Sequence, residues 1–197
     1  MNKKILILTT VAILTLLIPS MIAISPVKAK ATKFPFPPAS GDATLAVDSG
    51  KVWIAGDIFH MTGSYWTAVV SGDLGAGDYE QWSHLSINLK TGKGTMQASS
   101  LTTFLDFPFE GSTLEGSSRS KITAATLVGD IVKTLTYTTT GTFVGHGSGL
   151  FEGWVQKGTS EGTATIILGA TVKGSAEWIA SGIFLIPPPF GVPPSPT

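Results

Sequence analysis

Cysteine is absent from all 197 residues. That removes thiol catalysis, thiolate metal sites, disulfides and a lipid-modified cysteine. A chain of this size must then hold itself together by burial alone. Charge is sparse as well: Lys and Arg number 13, Asp and Glu 13, and Arg119 is the single arginine. Phosphate neutralisation needs clustered Lys and Arg, so nucleic acid is excluded as a partner. The two asparagines, Asn2 and Asn88, open no N-x-Ser/Thr sequon, which leaves no acceptor for N-glycosylation. Helical periodicity is nearly missing, and beyond residue 24 no apolar run is long enough to span a bilayer.

What is present begins with an export signal. Lys3 and Lys4 form a basic start, Ile5 to Ile18 an apolar run, and Pro19 and Ser20 break it. "VKA" or "AKA", ending at Ala29 or Ala31, offers small residues for a signal peptidase. Residues 1–31 therefore read as a signal peptide, and the chain as secreted or extracytoplasmic. The alternative is an uncleaved anchor over residues 5–24, which is also the only route to a membrane. Removing residues 1–31 leaves 9 basic groups against 13 acidic ones, a formal charge of −4. Proline then marks both ends of the remainder. Residues 32–41, "TKFPFPPASG", read as a linker, and "IPPPFGVPPSPT" places a polyproline-like tail over residues 187–197. The domain is expected over residues 42–186.

That interval is dense in strand signals. Leu85, Ile87 and Leu89 alternate onto one face, and "KTGKG" turns the chain with Gly92 or Gly94 at positive φ before alternation resumes. "KVWIAGDIFHMTGSYWTAVVSG" predicts a second hairpin about Thr62–Gly63. Residues 130–168 predict three strands, with turns near Gly145–Gly149 and Lys157–Gly162. In the last strand Val172, Gly174, Ala176, Trp178, Ala180, Gly182 and Phe184 share a face. Large and small residues mixed on one face suit the tapering interior of a closed barrel. The expected fold is all-β: a single antiparallel β-barrel of about eight to ten strands, with Pro-rich termini. Four glutamates precede glycine, at Glu110, Glu115, Glu152 and Glu161. Their unequal spacing excludes a repeat array, and bulges or bends in long strands account for them.

Chemistry-bearing motifs are few. "GHGSGLFEG", Gly145 to Gly153, departs from G-x-G-x-x-G and has no helix after it to hold a phosphate. It has no P-loop Lys, and Ser148 stands fourth where a nucleophile elbow needs it third. His60, His84 and His146 lack the close spacings of common ligand pairs, so neither metal nor cofactor is expected. The candidate acid/base residues are Glu152, His146 and Glu115, because a glutamate turned into a barrel would have its pKa raised by desolvation. On a solvated face the same glutamates are ordinary, with Glu115 in reach of Arg119. Trp154, Trp178 and Tyr137 are candidate walls of an apolar pocket, and Arg119 a candidate anion site.

The run Gly145 to Thr159, through Gly147, Ser148, Gly149, Phe151 and Gly153, resembles a hairpin of allene oxide cyclase-like and dirigent-like β-barrels. The resemblance implies an eight-stranded barrel with a hydrophobic cavity, and carries over no catalytic residue. "GSTLEG" and "GSGLFEG" are also similar to pieces of small exported prokaryotic proteins without an assigned role. Three functions fit: a barrel binding a small apolar ligand or a surface partner, an isomerase or cyclase on the same barrel using Glu152 and a histidine, or a structural or adhesive surface protein. The sequence sets no oligomeric state.

Overall fold

A computed structural model describes residues 31–72 and 74–188. Nearly all of the segment expected to be a signal peptide, and most of the expected proline-rich tail, lie outside these residues. Nine strands follow in order: β1 (Thr32–Leu45), β2 (Lys51–Ala55), β3 (Ile58–Gly72), β4 (Gly75–Asn88), β5 (Lys93–Phe104), β6 (Thr113–Val128), β7 (Lys133–Ser148), β8 (Val155–Leu168) and β9 (Val172–Ile186). Every pairing is antiparallel, and each strand from β3 to β9 lies beside the next. β1 pairs with β9 on one edge and with β3 on the other, so eight strands close into a ring. The expected all-β antiparallel barrel is what forms. β2 stays outside the ring, attached to the first half of β3.

Alternation decides what faces inward. On β7 the outward residues from Thr134 to Thr142 are threonines, and such residues join neighbouring rows: Thr136 bonds Thr165, and Thr123 bonds Thr138 at 2.9 Å. Such cross-strand pairs of β-branched residues each add a few tenths of a kcal/mol, on the order of 0.2–1. Inward, Leu45, Phe59, Met61, Leu85, Ile87, Ile122, Leu135 and Ile166 are fully covered and fill one end of the barrel, here the lower end. A second cluster of Phe104, Leu114, Phe151 and Phe184, with Phe36, Phe109 and Trp154 against it, closes the upper end.

Several local expectations are corrected. Residues 32–41 are not a linker but the first strand, paired with β9 from Thr32 opposite Ile186. Prolines fit there because β1 meets β3 only from Ser40 onward, and because Pro37 and Pro38 fall at a register shift between Phe36 and Ala39. Proline lacks the ladder N–H, so edges and bulges are where a strand tolerates it. The barrel thus begins near residue 32 rather than 42. Thr62–Gly63 is no hairpin. Gly63, at φ +70°, is a bulge inside β3, and the hairpin lies earlier, between Ala55 and Ile58. The bulge shifts the phase of β3, so that Ser64 and Trp66 follow Phe59 and Met61 inward.

The glycine cluster is divided differently from expectation. Gly145 and Gly147 belong to β7, and the chain turns only over 149–154, through a 3-10 turn at Gly149–Phe151. Gly149 has φ +66° and lies against Ser112, whose hydroxyl accepts the Leu150 N–H at 3.1 Å. Phe151 drops inward, stacked on Phe109 at 4.8 Å, and a Cβ on Gly147 would sit 2.3 Å from the Cβ of Phe151. Residues 133–168 make two long strands, not three. Gly158 and Gly162 lie within β8, because a Cβ on Gly158 would meet the Phe143 ring at 2.6 Å and Ser181 O at 2.1 Å. Of the four Glu-Gly pairs, those at Glu110 and Glu152 lie in turns. Those at Glu115 and Glu161 are unbulged strand positions, with glutamate outward and glycine inward.

The inward glycines predict a ranking of stabilities. Gly158→Val should cost roughly 3 kcal/mol by overpacking. Gly56→Ala, at φ +59° with open space around it, should cost about 1 kcal/mol through backbone strain alone. Urea midpoints measure both, and equal losses would contradict the placement of Gly158.

Candidate functional site

Between the two plugs the inward positions are small. Ala39, Ala43, Ala164, Ala176 and Ala180 line one side, while Ser100, Ser118 and Ser120 line the other, with Gly116, Gly145 and Gly162 among them. Small side chains in an eight-stranded ring leave the space that larger ones would fill. The result is a cavity of about 180 Å³ whose other walls include Trp66, Val70, Met96, Phe104, Tyr137 and Trp178. A dry apolar cavity of roughly 150 Å³ already accepts benzene. Size therefore permits a small cyclic molecule.

The walls differ in polarity. Along β4, β5 and β6, Gln81 lies opposite Ser100, Ala98 opposite Ser118, and Met96 opposite Ser120. The Tyr79 hydroxyl donates to Gln81 Oε1 at 2.7 Å and lies against Ser100. Part of the Tyr79 ring remains uncovered, but its hydroxyl is enclosed, and burial pushes its pKa up to about 12 against a hydrogen bond from Ser100 that lowers it. Burial also pushes Tyr137 up, while on the outer face a hydrogen bond to Glu80 raises Tyr65. Tyr79 packs against Trp178 with ring centroids 5.3 Å apart, and Trp178 lies over Gly41, where a Cβ would meet the indole at 3.1 Å.

Two inward tryptophans meet different fates. The Trp66 N–H reaches Ser64 Oγ at 3.3 Å, within a buried pair in which the Ser64 and Ser83 hydroxyls are 2.7 Å apart. The Trp178 indole nitrogen is buried and has no hydrogen-bond partner among the described residues. Such a donor loses its hydration without compensation.

The residues singled out from the sequence separate cleanly. Trp178 and Tyr137 line the cavity. Trp154 belongs to the upper plug, 5.2 Å from Phe151 and 5.5 Å from Phe184. Arg119, Glu115, His146 and Glu152 are exposed on the outside. Glu115 faces His146 across β6 and β7, and Arg119 faces Thr142, so the inward turn that would have raised a glutamate does not occur. His60 stacks under Trp53 at 4.9 Å and shares a hydrogen bond with Ser86, while His84 bonds Thr62. No group of three potential metal ligands exists among the described residues. Tyr79, Gln81, Ser100 and Ser120 escaped sequence reading, although the alternation of β4 from Leu85 back to Tyr79 carries the signal.

No helix among the described residues is long and apolar enough to cross a membrane. Comparison with protein-family models, with curated proteins and with solved structures gives no match.

The tyrosines predict an alkaline weakness. Tyr79 ionises near pH 10 unfolded and near 12 folded, so the unfolded state releases its proton first and stability falls as pH rises from 10 towards 12. Denaturant titrations across that range should show the decline, and Tyr79→Phe should make it shallower, with Tyr137 and Tyr65 supplying the remainder. An unchanged slope in the variant would contradict the enclosed hydroxyl.

Proposed function

We propose that this chain is an exported β-barrel protein that binds a small apolar ligand inside the barrel. The observation that supports this reading best is the cavity itself: small residues held at mid-barrel between a mainly aliphatic lower plug and an aromatic upper one. A barrel whose only task was to be stable would fill that space, since each missing methylene costs roughly 1 kcal/mol. Binding clefts carry this combination of apolar walls and a few convergent polar groups.

An isomerase or cyclase using Glu152 and a histidine gains no support from the geometry. Glu152 sits in the β7–β8 turn and His146 points outward. The anion role of Arg119 fares the same way, because the side chain lies on the outer face of β6.

Isothermal calorimetry with indane tests the reading. Saturable binding to a single site is expected, Ala180→Leu should weaken it at least about tenfold by filling the cavity, and Glu152→Gln and His146→Ala should leave it unchanged. Absence of saturable heat with the native protein, or undiminished binding to a folded Ala180→Leu variant, would count against an interior site.

A further inference from the structure

Resting on that interior site, the geometry points to the class of ligand: a neutral molecule with an apolar body and a hydrogen-bond-accepting oxygen, a ketone or ether, received by the indole N–H of Trp178. The buried donor without a partner carries this inference. Two neighbouring donors are already engaged: the Tyr79 hydroxyl donates to Gln81 and lies against Ser100, and the Trp66 N–H is taken by Ser64. Among the described residues the Trp178 nitrogen is the fully buried donor left without an acceptor.

The indole nitrogen is covered where the ring lies on Gly41 and beside Tyr79, so a ligand reaches it only when the ring tilts towards the cavity. A ligand oxygen that meets the N–H after such a tilt relieves an uncompensated burial, whereas a hydrocarbon of the same shape does not. That difference separates the two ligands by affinity rather than by fit.

Charge narrows the class further. Among the described residues no Lys, Arg or His contributes to the cavity wall, and the glutamates that border it, Glu115, Glu161 and Glu177, carry their side chains to solvent. A carboxylate entering this space would be desolvated with no countercharge, at a cost far above the gain from one hydrogen bond. The opposite wall of Gln81, Ser100, Ser118 and Ser120 accommodates further uncharged polar edges.

Indane, indanone and indane carboxylate share a ring system and differ in the relevant group, so their relative affinities for the purified protein test the assignment. Indanone should bind about three- to tenfold more tightly than indane, and the carboxylate more weakly than either. In Trp178→Phe the preference for indanone should vanish while indane still binds. An independent readout on the native protein is the Trp178 indole N–H resonance, which should move downfield with indanone and not with indane. A preference that survives in Trp178→Phe, or an indole resonance indifferent to the carbonyl, would overturn the donor role and leave the apolar cavity standing. Failure of both indane and indanone to bind the native protein would remove the cavity reading and this inference with it.

Discussion

Closure of the ring rests on one stretch of pairing, Ser40–Leu45 of β1 with Trp66–Ser71 of β3. Without it β1 and β3 would be two open edges with unpaired backbone groups, available for pairing with other chains. The lowermost pair is Leu45 with Trp66, both buried, so closure also covers the lower plug. The chain bends away directly after it. Asp48, at φ +57°, donates its N–H to Val172 O and accepts the Val172 N–H on Oδ1, both at 2.8 Å, which fastens the bend to the start of β9. β2 therefore leaves the ring and lies along the remaining part of β3, outside the closed wall.

Once the ring is closed its bore is fixed, and side-chain volume determines what the interior holds. The large residues sit at the ends: Phe59, Ile87, Leu135 and Ile166 below, Phe104, Phe151 and Phe184 above. Alanine, serine and glycine occupy most of the middle. Two aromatic rings, Trp178 and Phe143, intrude there, and each lies against a glycine on a neighbouring strand, Gly41 and Gly158. Shape and polarity follow from the same residues, with alanines on one wall and serines with Gln81 on the other.

Much of the architecture was legible in the residues. The shared face of β9 from Val172 to Phe184, the Gly92 turn and the inward position of Phe151 all follow from period-two alternation and positive-φ chemistry. Other features were hidden for physical reasons. Proline in 32–41 suggests a linker until the missing neighbour on one edge of β1 is known, which is a tertiary fact. Gly158 and Gly162 look like turn residues, because the groups that need their space, the Phe143 ring and the Glu177–Trp178 backbone, lie on other strands. The acid/base candidates Glu115 and Glu152 lie outside the cavity for a related reason: strand alternation does not say which phase faces inward, and at the first the inward residue is the neighbouring glycine. Bulges at Gly63 and near Thr123 shift the inward phase within β3 and β6, which depends on pairing with the neighbouring strand.

A ligand-holding interior requires that the middle of the barrel be hollow. Xenon is apolar, small and heavy enough to be located directly, and it enters dry cavities that water leaves empty. A crystal of the purified protein pressurised with xenon should show a bound atom inside the ring, bordered by Trp66, Tyr137, Ala180 and Trp178. Side chains closing that space with no xenon among them would contradict a ligand-holding interior.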